Sequence, residues 1–245
     1  MIPPPFILKT IDGGFFMFTL DNFYADDPKF MESIKAMLDD YVRYVPIVLK
    51  GETGIGKTHL LKAFEQYLKE KHGLKNSVYI TAEKFTNDFV KALQTKKLEN
   101  FRSQFLEIDA LFFDDFDFLQ YKKGSQEELY FIITECLNRQ AFVCVAVTTP
   151  CDLKVISSQK LSSVLLNGVN TDIPVPGYEA KRLKLTEVFS QFNCFINGDI
   201  IDYLVGLKLS LNELIGISKK IIVMKELEGK GCVNINPEEI KSLVE

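Results

Sequence analysis

Residues 51–58 read Gly-Glu-Thr-Gly-Ile-Gly-Lys-Thr, a match to G-x-x-x-x-G-K-[ST], and the reading of the fold starts from them. An apolar run from Pro46 to Leu49 stands directly before the match. Directly after it, Leu60, Leu61, Phe64, Tyr67 and Leu68 recur at helical spacing. Strand, glycine loop and helix are therefore predicted in that order. Such a loop turns on its glycines and aims backbone N–H groups at phosphate oxygens, while the following helix adds its positive N-terminal dipole. Gly51, Glu52, Thr53, Gly54, Ile55 and Gly56 are the candidate contacts. Lys57 brings a positive charge for the β and γ phosphates, and Thr58 a hydroxyl for Mg²⁺. His59 joins the nucleotide-lining residues by position, although its chemistry reads as packing rather than catalysis.

Outward from the loop, short apolar runs alternate with amphipathic stretches, the pattern of parallel strands joined by crossover helices. Further strands are predicted at Val78 to Thr81, Ala110 to Asp114, Val143 to Val147 and, more weakly, Thr171 to Val175. Phe85, Phe89 and Leu93 mark one helix, and Ser125 with Glu128 three residues on has the pattern of a capping box at the start of another. The third strand ends in Asp114-Asp115, where open α/β sheets place their ligands. Asp114 is the candidate metal residue and Asp115 the candidate for orienting or deprotonating a water; a solvated acidic loop would read the same way. Thr148, at the end of the fourth strand, suits either a γ-phosphate contact or the turn before Pro150.

After Pro174-Val175-Pro176-Gly177 the strand pattern stops. Glu179 to Phe189, Asp199 to Leu207, Asn212 to Leu227 and Pro237 to Val244 read as helices. The expected organisation is an N-terminal extension (1–17), an α/β core (18–176) and a small helical domain (177–245).

Composition narrows the function. With 29 basic and 33 acidic residues the formal charge is −4, so no global positive field draws the chain onto nucleic acid. Five cysteines without a C-x-x-C pair argue against a disulfide framework or a zinc site and suit a reducing cytoplasm. No secretory signal or transmembrane run is visible.

Several segments resemble, in order and spacing, the AAA+ ATPase domain of the bacterial replication initiator family DnaA. They are FTLDNF (18–23), GETGIGKTHLLKA (51–63), TAEKFTNDFVKAL (81–93), LENFRSQFLEIDALFFDDFDFL (98–119) and SQEELYF (125–131). Weaker similarity continues through KLSSVLLNGV (160–169) and LNELIGISKKI (211–221). The resemblance implies a P-loop core with a five-stranded parallel sheet, a C-terminal helical lid, ATP or ADP with Mg²⁺, and the base held near Asn22 and Phe23. It also implies a single-stranded DNA contact matching Val90, Lys122 and Ser125, with glycine at position 124 where the family has an arginine. Lys122-Lys123 also reads as an ordinary solvated loop tip.

Two departures stand out. Ser163-Val164-Leu165 occupies the place of the arginine that reaches a neighbouring subunit's γ-phosphate, and Asn212 that of the nucleotide-sensing lid arginine. As read, the chain also lacks the origin-reading domain, and no glutamine-led clamp-docking motif is found in MIPPPFILKT. The expectation is a regulatory or assembly factor that works through protein contacts, with the replication initiator, sliding clamp or replicative helicase as partner. An active ATPase that loads a helicase or remodels single-stranded DNA is the alternative.

Overall fold

The computed structural model describes residues 18–194, 196–227 and 240. The expected extension (1–17), Cys232 and nearly all of the helix expected over Pro237 to Val244 lie outside them. Helix α1 (Pro28–Asp39) precedes strand β1 (Ile47–Gly51), α2 (Lys57–His72), β2 (Ser77–Thr81), α3 (Ala82–Gln94), α4 (Leu98–Ser103) and β3 (Ala110–Asp114). There follow α5 (Lys123–Asn138), β4 (Phe142–Thr148), α6 (Gln159–Asn167) and β5 (Val169–Asp172), then α7 (Tyr178–Gln191), α8 (Gly198–Gly206) and α9 (Leu211–Leu227).

The five strands form one sheet in the order β2-β3-β4-β1-β5, with every neighbouring pair parallel. A strand covered on both faces is apolar at every position, and alternate residues divide between two cores. Leu111, Phe113, Val143, Val145 and Val147 pack with α3, α5 and α6 on one face. Ala110, Phe112, Phe142, Cys144 and Ala146 pack with α1 and α2 on the other. A third apolar cluster, including Leu185, Phe189, Leu204, Leu214 and Ile221, belongs to α7–α9.

The predicted fifth strand is displaced. It pairs with β1 from Ile47↔Val169 to Lys50↔Asp172 and ends as Ile173 donates its N–H to Lys50 O. Pro174 and Pro176 follow and have no N–H for a ladder, so strand structure over 171–175 is not sustained. On α3, Leu93 turns outward at 50% exposure and Ala92 is buried instead.

The predicted capping box is corrected. Helix α5 starts at Lys123, two residues before Ser125, and its N-cap Lys122 makes no side-chain cap. Glu128, 6% exposed, is taken by Arg102 of α4 in a two-pronged pair, Nε to Oε1 at 2.7 Å and Nη2 to Oε2 at 2.8 Å. A charge-assisted bidentate partner outcompetes one backbone N–H. Helix α1 and its start at Asp27-Pro28 were not anticipated, although Asp27 accepts from Lys29 N and Pro28 takes the first turn, a recognisable start signal. Cys194 is disulfide-bonded, against the expectation from the cysteine spacing: an odd count without C-x-x-C still permits one pair. Cys136, Cys144 and Cys151 carry free thiols. Among the described residues no helix is long and apolar enough to cross a membrane.

His59 is a packing residue. Its Nε2 lies 3.0 Å from Thr19 O, and its ring meets Phe18 and Phe23 edge-on. Burial holds the imidazole below its ordinary value near 6.5, only partly offset by the Thr19 contact. The folded chain therefore keeps His59 neutral while the unfolded chain takes up the proton first, so stability present above about 6.5 is lost as pH falls further. Urea unfolding between pH 7.5 and 5.5 should show that loss, and His59→Gln should flatten it. By the same assay Arg102→Ala should cost about 3 kcal/mol, because it strands a buried carboxylate; Arg102→Met combined with Glu128→Leu should recover most of that.

Candidate functional site

The loop between β1 and α2 stands at the carboxyl end of the sheet, beside the ends of β3 and β4. Gly54 has φ +82° and Gly56 φ +105°, in the left-handed region that side chains disfavour. Space demands glycine as well. A Cβ on Gly54 would run into Asn212 Nδ2, and one on Gly56 would lie 2.8 Å from Phe23 Cε2. The lid residue Asn212 and the N-terminal Phe23 thus both rest directly on the loop.

Lys57 is buried and donates to Gly51 O at 3.0 Å and Glu52 O at 2.8 Å. Burial lowers its pKa, opposed by the nearby carboxylates of Asp117, Asp114 and Asp115. Asp114 is 1% exposed. Its Oδ2 accepts from Thr58 Oγ1 at 2.7 Å and from Tyr79 OH at 2.6 Å, and its Oδ1 accepts from Asp115 N at 2.9 Å. Burial and this carboxylate together raise the Tyr79 phenol, so it stays protonated and donates. The pair Thr58 and Asp114 joins a hydroxyl to a carboxylate, the hard oxygen donors that suit Mg²⁺.

Asp115 adopts φ 54°, a left-handed turn that Asp tolerates, at the point where β3 ends. Burial raises its pKa, Asp114 and Asp117 add to the shift, and Lys57 opposes it. Thr148 lines the same space, and its N–H donates to Asp117 Oδ1 at 3.2 Å.

Lys57, Thr58, Asp115, Asp117 and Thr148 line a cavity of about 630 Å³ together with Thr53, Thr81, Glu83 and Phe118, and Asp114 lies behind Thr58. A second cavity of about 240 Å³ shares Gly54, Gly56 and Asn212 with it and extends between the N-terminal segment and α7. Asn22, Phe23, Ile55 and His59 line this second half, as the sequence reading expects. Sequence reasoning missed Tyr24, Lys184 and Glu187. Lys184 Nζ bonds Glu187 Oε2 at 2.8 Å and Asn22 O at 3.4 Å. Burial, with Glu187 and Asp21, pushes the Tyr24 phenol up to about 12. No motif announces these residues; only the fold brings α7 against the segment before α1. The two halves form one cleft, a polar part at the phosphate loop and an aromatic part suited to a flat ring.

The residues expected to touch DNA lie elsewhere. Val90 is exposed on α3, and Lys122 Nζ sits 3.9 Å above the Phe118 ring, but Ser125 is only 5% exposed. Tyr121, 87% exposed beside Lys122, was not singled out from the sequence. In the stretch that the resemblance sets against a trans-acting arginine, Ser163 is exposed, Val164 packs against the sheet core and Leu165 is buried.

Known proteins share this architecture. The family model described as "Bacterial DnaA ATPAse domain" matches residues 19–172. The chromosomal replication initiator protein DnaA of Rickettsia peacockii is 31% identical over 252 residues, covering 96% of this chain and 53% of the relative. The chain thus spans about half the length of the curated relatives it matches. Domain III of the Thermotoga maritima replication initiation protein DnaA superposes with a TM-score of 0.81 at 25% identity, covering 91% of this chain and 93% of that one. AMPPCP-bound DnaA from Aquifex aeolicus gives 0.73 at 26% identity, with 86% and 66% covered. The five-stranded parallel sheet with its helical lid is the AAA+ fold, and the chain belongs to the family of the bacterial DnaA ATPase domain.

Proposed function

We propose that this protein is an adenine-nucleotide-switched factor in DNA replication initiation, one that regulates or assembles through protein contacts. The observation that carries the reading is the pair of cavities that meet at Gly54, Gly56 and Asn212, one lined by Lys57 and by Thr58 bonded to Asp114, the other by Phe23, Tyr24 and His59. A related DnaA from Aquifex aeolicus was solved with AMPPCP, which supports a nucleotide of the same type here.

In this reading the core (18–176) supplies the phosphate loop and the lid (177–245) closes on it. Lys57 leaves Gly51 O and Glu52 O to meet the β and γ phosphates, and the loop N–H groups cradle the rest. Thr58 and Asp114 would hold Mg²⁺, which would supply charge neutralisation at the phosphates. Asp115 and Thr148 face the space beyond, where Asp115 orients water. Asn212 offers a neutral amide above Gly54. Asn22 and Phe23 hold the base. A contact with single-stranded DNA falls to Val90 and Lys122, and it is weak for want of charge.

The regulatory reading is supported by the apolar Val164 and uncharged Asn212. An arginine at a transferring phosphoryl group contributes on the order of 10³ to 10⁵ in rate, and neither position supplies one. The partner is the replication initiator, the sliding clamp or the replicative helicase, met in the cytoplasm.

ATP or ADP with Mg²⁺ at 100 times its Kd should stabilise the fold by about 2.7 kcal/mol, measured by thermal unfolding. Lys57→Ala should abolish the shift, and an unshifted wild type would end the nucleotide reading. Hydrolysis per molecule should stay flat as the protein's own concentration rises. A steep rise would reveal a trans-acting cation, with Lys160 or Lys219 as the first to replace, and would favour an active self-assembling ATPase.

A further inference from the structure

We propose that Asp26 is the positioning residue that holds the base half of the cleft together; the inference rests on the nucleotide-binding reading above. The two halves are built differently. The phosphate half stands on α2, the carboxyl ends of β1 to β4 and the start of α3, and takes only Asn212 from the lid. The base half rests on the phosphate loop and α9 and is walled by two pieces of chain more than 150 residues apart, Asn22 to Tyr24 on one side and Lys184, Glu187 and Val188 of α7 on the other. Neither piece lines the phosphate half, so whatever fastens them to each other bears on the base half and not on the phosphate half.

Asp26 is the fastening. Its Oδ2 accepts the Gly177 N–H at 2.5 Å and its Oδ1 the Ala180 N–H at 3.3 Å. A helix leaves its first N–H groups without intrahelical partners, and a side chain at the N-cap usually takes one of them. The N-cap of α7 is Gly177, which has no side chain to do this. A carboxylate from across the cleft does it instead and brings negative charge to the positive end of the helix. Glycine is also what fits, since a Cβ at 177 would lie 2.8 Å from Asp26 Oδ2. One turn further along α7, Lys184 donates to Asn22 O at 3.4 Å and lies 5.9 Å from the Tyr24 ring, so the junction continues into the base half. Asp26 itself lines neither cavity.

A residue with this role governs ligands that carry a base and not ligands that carry only phosphate. The test is isothermal titration of ADP and of tripolyphosphate, each with Mg²⁺, on the wild-type chain and three variants. Asp26→Ala should weaken ADP about fivefold, equal to about 1 kcal/mol at 1.4 kcal/mol per decade, and leave tripolyphosphate within about twofold. Asp26→Asn keeps one of the two acceptor oxygens and should fall between Ala and wild type. Gly177→Ala, which crowds the carboxylate from the other side, should reproduce the ADP loss without touching Asp26. Unchanged ADP affinity in Asp26→Ala and Gly177→Ala, or equal losses for ADP and tripolyphosphate, would overturn the inference while leaving the nucleotide reading intact. A wild-type chain that binds neither ligand would overturn both.

Discussion

The carboxylate of Asp114 is the constraint on which the site depends. It ends the buried strand β3 and, at 1% exposure, cannot be solvated, so protein donors must satisfy it. Three do: Thr58 from the helix after the phosphate loop, Tyr79 from the neighbouring strand, and the backbone of Asp115. The same charge therefore fixes the start of α2 against the sheet, fixes β2 against β3, and holds Asp115 in its left-handed turn. A side chain without acceptor oxygens there would leave all three donors unpaired.

Charge also shapes what the cleft can take. Among the described residues lining the phosphate half, Lys57 is the one basic side chain, facing Glu83, Asp115 and Asp117 with Asp114 beneath. A polyphosphate entering such a space needs a divalent cation to offset the carboxylates. The Thr58 and Asp114 pair is where the oxygens for it are found. Asn212 contributes an amide where a charge would otherwise answer the terminal phosphate. Under the proposed function binding and turnover are separable: Lys57 stands at the phosphate loop, and among the described residues lining this half no second basic side chain joins it. The aromatic half adds what the phosphate half lacks, a surface for a ring made by Phe23, Tyr24 and His59.

Local features were legible in the sequence. The glycine loop, the apolar strands ending at Asp114 and Thr148, and the helices after the proline cluster each follow from spacing a few residues long; the strands pair in the sheet, and α7 to α9 run as helices as far as Leu227. What was not legible joins distant segments. Glu128 looked like a cap to Ser125 because the sequence does not show Arg102 arriving from another helix. The last strand was set too late because its register belongs to β1. Tyr24, Lys184 and Asp26 carry no motif, and their roles arise only when α7 closes over the N-terminal segment. Cys194 found a disulfide partner that spacing could not indicate.

In the proposed function Thr58 and Asp114 form a metal site completed by nucleotide phosphate. Electron paramagnetic resonance of Mn²⁺ in place of Mg²⁺ reads that site directly. Tight Mn²⁺ binding should appear only when ADP is present, and Thr58→Val or Asp114→Asn should remove it while the protein remains folded by circular dichroism. Mn²⁺ bound equally well without nucleotide, or unaffected by either substitution, would contradict the account.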